Sequence, residues 1–212
     1  AIAGLGVVAV LIIVLTVAGA AHAADHPLFG DYLRLKDPTA SSRRRVKFRA
    51  AQDPAIDPSM APDPRLVGGT FEVVGTGIGD GTTGALTLDA GKWIGLGSPP
   101  GTTGYRYVDV STAPVRRVDF RSGLSGGRIV VTARGSAWPY AITQPQEQIE
   151  VRLTIGSEIY CAEYSGFELT RNESGLVIGR NAALAVAGKL RALSVSPEAY
   201  RGFGFPGADD LG

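Results

Sequence analysis

Histidine and cysteine are nearly missing from this chain. The 212 residues hold two histidines, His22 and His26, and one cysteine, Cys161. A lone thiol closes no internal disulfide, so the fold must stand on its own core, and cysteine zinc sites are excluded. His22 falls in the apolar leader described below and His26 just after it. That leaves no base for a Ser-His-Asp or Cys-His mechanism, and too few ligands for a histidine zinc site. No metal and no cofactor is expected. An excess of either charge is also missing. Lys+Arg 21 against Asp+Glu 20 leaves a formal net charge of +1, so net charge alone gives no preference for a polyanion.

What the chain has in quantity is glycine, 29 residues, with 13 prolines. That density interrupts long helices and suits many short strands joined by turns. The one long apolar run lies at the start. Ala1 to Ala21 carries no charge and is centred on Val7 to Leu15. It closes on Ala21-His22-Ala23, small residues at the positions a signal peptidase reads, so a signal helix cleaved after Ala23 is expected. The alternative is a retained membrane anchor, since about 20 apolar residues span a bilayer. No cysteine follows the run, so no N-terminal lipid anchor is expected. Without a charged n-region or an initiator Met, the chain is expected to be a fragment at that end. The expected organisation is a signal over 1–23, one domain over 24–180 and a tail over 181–212. The mature part, exported to the periplasm or beyond, has roughly 190 residues, enough for one core.

The clearest strand is Ile149 to Ile155, where apolar and polar residues alternate strictly. Gly156-Ser157 turns it into a returning strand over Glu158–Tyr164. Val115–Arg121 and Gly127–Arg134 form a second hairpin, with Ile129, Val131 and Ala133 on the core face. Tyr32–Lys36, Arg45–Arg49, Thr70–Thr76, Ala85–Leu88 and Tyr105–Val110 read as further short strands, and Gly166–Arg171 adds one more. About nine or ten strands at this spacing predict an all-β antiparallel sandwich, or an irregular barrel. Gln52–Pro64 carries Asp53-Pro54, Asp57-Pro58 and Asp63-Pro64. Proline donates no hydrogen bond, so this stretch is a loop. Asn181–Leu193 reads as a short Ala-rich helix and Tyr200–Gly212 as unstructured.

Several motifs carry possible chemistry. Gly79-Asp80-Gly81-Thr82-Thr83-Gly84 has the dinucleotide spacing, but a strand follows where that site needs a helix N-terminus, so it reads as a hairpin loop. Asp53, Asp57 and Asp63 lack calcium-loop spacing and read as turn formers. Glu158 with Glu163, or Glu150 with Glu163, could form the carboxylate pair of a glycoside hydrolase, although Glu150 holds an outward, solvated position. Asn172-Glu173-Ser174 fits a glycan acceptor, relevant only in a eukaryotic secretory pathway. Two features could bind a ligand. Arg43, Arg45, Lys47 and Arg49 share one strand face, with Val46 and Phe48 turned to the core. Such a face could meet an anionic polymer, or merely discourage edge pairing. Trp93, Tyr105 and Tyr107, and separately Trp138 and Tyr140, could stack on sugar rings or plug the core. Whether Tyr107 points outward depends on whether Val108 and Val110 face the core.

Three stretches taken together resemble a known group. They are Lys36-Asp37-Pro38 leading to Arg43–Phe48, Gly95 to Gly101 with Gly104-Tyr105, and Val151 to Gly156 running to Tyr160-Cys161-Ala162-Glu163. The resemblance is to uncharacterised secreted proteins of environmental, proteobacteria-like bacteria, and it spans Tyr32 to Gly166. That group has no established activity and so implies no site residues. Its members carry a second cysteine near the C-terminus, which this chain lacks.

The functional expectation is an exported, non-enzymatic domain that binds a glycan or an anionic surface polymer. A structural or adhesive surface protein and a carboxylate-only glycoside hydrolase are the alternatives. No specific nucleic-acid partner is expected, and a membrane enters only through a retained leader.

Overall fold

The structure is a computed structural model, and it describes residues 24–76 and 81–183. The expected leader and its cleavage site lie outside the described residues, as do Gly79, Asp80 and the tail from 184. Among the described residues no helix is long and apolar enough to cross a membrane.

The strands are β1 (Ala24–Pro27), β2 (Gly30–Lys36), β3 (Arg45–Asp53), β4 (Gly69–Thr76), β5 (Leu86–Leu88), β6 (Trp93–Leu96), β7 (Gly104–Val108), β8 (Val115–Arg121), β9 (Gly127–Arg134), β10 (Gln148–Ile155), β11 (Glu158–Ser165), β12 (Leu169–Glu173) and β13 (Leu176–Arg180). One helical turn, α1 (Pro64–Val67), precedes β4. They form two open sheets, β1-β11-β10-β4-β5 and β12-β13-β2-β3-β9-β8-β7-β6. Every pairing is antiparallel except β1 with β11. The fold is therefore an all-β sandwich, and the barrel alternative is set aside because neither sheet closes.

Alternation decides which side chains meet between the sheets. Ile149, Val151, Leu153 and Ile155 of β10 face Val46 and Phe48 of β3, Ile129 and Val131 of β9, and Val118 and Phe120 of β8 across one shared core. The chain changes sheet between β1 and β2, where Leu28 is fully buried and its N–H donates to the Cys161 carbonyl at 2.7 Å. Gly30 and Gly179 flank the Tyr164 ring from neighbouring strands, and a Cβ at either would overlap it.

The proline-rich crossing is ordered by its aspartates. In each Asp-Pro-x triplet the carboxylate accepts the N–H two residues on: Asp53 from Ala55 at 2.9 Å, Asp57 from Ser59 at 2.9 Å, Asp63 from Arg65 at 2.9 Å. These are Asx turns, the role expected of them. Asp53 alone is buried, at 2 % exposure, and it also accepts the Phe29 N–H at 2.7 Å. Asp53→Ala removes the buried acceptor of two backbone N–H groups and should lower stability by about 2 kcal/mol in urea unfolding. Asp57→Ala, at the surface, should cost less than about 0.5 kcal/mol. Equal effects at the two sites would show that the Phe29 contact contributes nothing.

Residues 181–183 follow β13. Asn181 takes a positive φ, the Ala182 N–H donates to the Gly30 carbonyl at 2.7 Å, and Ala183 bridges to Glu163. These contacts tie residues 182 and 183 to β2 and β11. The rest of that tail lies outside the described residues.

Candidate anion-binding face

The outer face of the eight-stranded sheet gathers cations from strands far apart in sequence. Outward positions alternate with core positions along the regular stretches of β2, β3, β7, β8 and β9, so their polar side chains share that face. β2 contributes Arg34 and Lys36, β3 Arg45, Lys47 and Arg49, β9 Arg128 and Arg134, β8 Arg117 and Arg121, β7 Arg106, and β13 Arg180. The register aligns them in rows. Lys36, Arg45 and Arg134 stand abreast across β2, β3 and β9. In the next row Arg34 faces Lys47, which faces Thr132 and then Arg117.

The face divides into two electrostatic halves. In one, carboxylates compensate the cations. Asp119 of β8 accepts from Arg106 Nε at 2.7 Å, Arg117 Nε at 2.6 Å and Arg121 Nη2 at 3.2 Å. Burial pushes its carboxyl up, but the Arg117 and Arg106 guanidiniums outweigh that and hold it below the usual range. Arg49 pairs with Asp31 at 2.8 Å. In the other half Arg34, Lys36, Arg45, Lys47, Arg116 and Arg134 have no carboxylate partner among the described residues. All of these but Lys36 line one hollow of about 530 Å³, together with Tyr32, Val46, Thr132 and Ala133. Arg116 reaches it through a bulge: β8 slips register between Val115 and Arg117, leaving Arg116 without a strand partner.

The expected basic strand is thus in place, with one correction. Arg43 is not on β3 but in a single helical turn, Ser41–Arg43, and Arg44 turns aside to donate to Asp37 at 2.6 Å and to the Trp138 carbonyl at 3.0 Å. The edge-protection role suggested for these charges also fails. β3 and β9 lie in the middle of the sheet, where there is no open edge to guard.

The aromatic platform is corrected too. Trp93, Tyr105, Tyr107, Trp138 and Tyr140 are core residues, none more than 8 % exposed, and present no open ring face to a sugar. Trp93 packs on Tyr107 with centroids 5.5 Å apart, and Trp138 on Phe71 at 6.4 Å. Tyr140 Oη donates to Gln146 Oε1 at 2.8 Å, and burial pushes the Tyr107 hydroxyl up to about 12. Val108 and Val110 point outward, Val110 at 94 % exposure. The aromatic that does reach the basic face is Tyr32, with Lys47 Nζ 6.0 Å and the Arg180 guanidinium 5.3 Å from its ring centroid.

Of the two carboxylate pairs, the structure brings only Glu150 and Glu163 together. Glu158 and Glu163 lie on opposite faces of β11, five residues apart, and Glu158 binds His26 at 2.6 Å. Glu150 does stand opposite Glu163, but it is buried rather than solvated, and Arg152 clasps both its oxygens at 2.8 and 2.6 Å. Cys161 is buried beside them. Burial first, then the Glu150 and Asp25 charges, push its thiol up to about 11, so it is a poor nucleophile. Among the described residues no three His, Cys, Asp or Glu side chains converge as a metal site would require.

No protein-family model, no curated protein and no solved structure matches this chain. Its chemistry has to be read from its own residues, and the uncompensated half of the basic face is where they converge.

Proposed function

We propose that the protein is a non-enzymatic, extracytoplasmic binding domain whose basic sheet face takes an anionic glycan. One observation carries the proposal: cations stand directly opposite cations. Side chains opposed across strands sit about 4.5–5.5 Å apart at Cβ, and each like-charged pair costs roughly 0.2–1 kcal/mol. Lys36–Arg45, Arg45–Arg134 and Arg34–Lys47 all carry that cost. Folding alone gives no reason for it in the middle of a sheet. A bound polyanion does, because it replaces repulsion with several charge-assisted contacts. The apolar leader, Ala1 to Ala21, supports the extracytoplasmic setting, where acidic surface polymers are found. With Trp93, Tyr105, Tyr107, Trp138 and Tyr140 buried, the stacking platform expected of them has no support from the geometry.

Heparin serves as the test polymer. The domain should be retained on it at about 0.1 M salt and lose affinity about tenfold or more toward 1 M, as the screening length falls from about 10 to about 3 Å. Neutral dextran should not compete. Retention insensitive to salt, or equal competition by dextran, rules out an electrostatic glycan face.

A further inference from the structure

We infer that the hollow on this face is a site for a phosphoryl group carried on a saccharide. This rests on the reading of the face as a polyanion site, and names the anion that the hollow within it selects. Arg34, Arg45, Lys47, Arg116 and Arg134 line the hollow, and no carboxylate does. Four of the five are arginines, whose planar forks match the oxygens of phosphate two at a time. A phosphomonoester brings a charge of about −1.5 to −2 and three acceptor oxygens at neutral pH. A uronate carboxylate brings one charge and two oxygens, which leaves most of these donors unused.

Arg116 is the most telling of them. Its Nε is buried and has no hydrogen-bond partner. A buried charged donor without an acceptor is costly, and the β8 bulge that turns Val115 into the core also delivers Arg116 here. Its neighbour Arg117 is spoken for by Asp119, so the slip gives β8 one arginine for the fold and one for the hollow. At about 530 Å³ the hollow exceeds what one phosphate fills and falls in the range of small-molecule sites. Tyr32 and Thr132 in its lining offer a ring and hydroxyls to an attached sugar.

The experiment is calorimetric titration with glucose 1-phosphate, glucuronate and sulfate, alongside salt elution from heparin. Glucose 1-phosphate should bind at least about tenfold tighter than glucuronate or sulfate. Arg116→Gln should abolish that preference and lower heparin elution only as far as Arg128→Gln does, since each removes one cation from a face that holds many. Arg34→Gln, at an exposed position, repeats the test should Arg116→Gln melt early. Arg128→Gln, outside the hollow, should lower heparin elution and spare glucose 1-phosphate. Once glucose 1-phosphate binding is seen, vesicles containing phosphatidic acid distinguish the carrier: Arg116-dependent co-sedimentation points to a lipid-borne phosphate, and its absence to a soluble or polymer-borne phosphosugar. Equal binding of glucose 1-phosphate and glucuronate overturns the phosphoryl site, even with heparin retained. Loss of heparin retention with glucose 1-phosphate still bound sinks the polymer reading and leaves the hollow.

Discussion

Asp119→Ala is expected to be the most damaging single substitution on the surface of the larger sheet. Asp119 is 4 % exposed and accepts N–H groups from three arginines on two strands. Removing it leaves Arg106, Arg117 and Arg121 facing one another with no counter-charge. Breaking a buried pair by deleting one partner costs about 3–5 kcal/mol. The arginines keep roughly a third to a half of their own exposure, so water recovers part of this, and about 3 kcal/mol is the expected loss. For a domain of this size that lowers the melting temperature by about 6–12 °C. The sign with pH follows from the depressed carboxyl. Its stabilisation is fully present above the unfolded value of about 3.9, and it is lost as pH falls through the lower folded value. Asp119→Asn should therefore flatten the acid limb of the stability profile below about pH 4. Heparin affinity should rise in the same variant, because the face loses its central negative charge. Unchanged stability together with an unchanged acid limb would show the three arginines to be solvated independently of Asp119.

How far the sequence carries the fold can be argued strand by strand. β10 was legible because its outward residues, Gln148, Glu150, Arg152 and Thr154, alternate with apolar ones without a break. β8 and β9 were legible with their bounds, because glycines mark the turn between them. Three strands were not. β1 has four residues, ends on Pro27 and abuts the apolar leader, so no alternation has room to show. β6 is as short and follows a helical turn. In β13 Leu176, Val177 and Ile178 are all apolar although only Val177 is fully buried, because β12 and β2 flank it on both sides.

The site was legible only in part, for a different reason. The alternation Arg45-x-Lys47-x-Arg49 identified one basic strand, and Tyr32-x-Arg34-x-Lys36 around Leu33 and Leu35 carries the same signal unused. What periodicity cannot supply is which strands are neighbours. Arg134 faces Arg45 across a separation of 89 residues, and Arg116 enters the hollow only through a register slip. The aromatic error has a local cause. Tyr105, Tyr107 and Asp109 all face inward, and the buried Asp109 is tolerated there because Lys92 Nζ donates to it at 2.6 Å. A charged residue at an inward position makes Val108 and Val110 look like the core face. The parity of the whole strand was left open as a result.

Charge reversal at Arg45 is expected to strengthen the fold while weakening the site. Arg45 stands between Lys36 and Arg134, so Arg45→Glu converts two repulsive cross-strand pairs into attractive ones. At roughly 0.2–1 kcal/mol per pair in each direction, the domain should gain about 1 kcal/mol and melt a few degrees higher at low salt. Residues kept for stability do not behave this way, since substituting them costs free energy. Binding should move the other way. The double variant Arg45→Glu/Lys47→Glu removes two positive charges from the hollow and adds two negative ones. Heparin affinity at about 0.1 M salt should fall by about a hundredfold, near 2.7 kcal/mol, chiefly through slower association and earlier salt elution. Adding salt should narrow the stability gap between wild type and Arg45→Glu, because screening relieves the repulsion that the substitution removes. A less stable Arg45→Glu with heparin binding intact would mean that the rows of cations serve the sheet. A more stable variant that no longer binds would mean that the sheet tolerates them for the sake of the ligand.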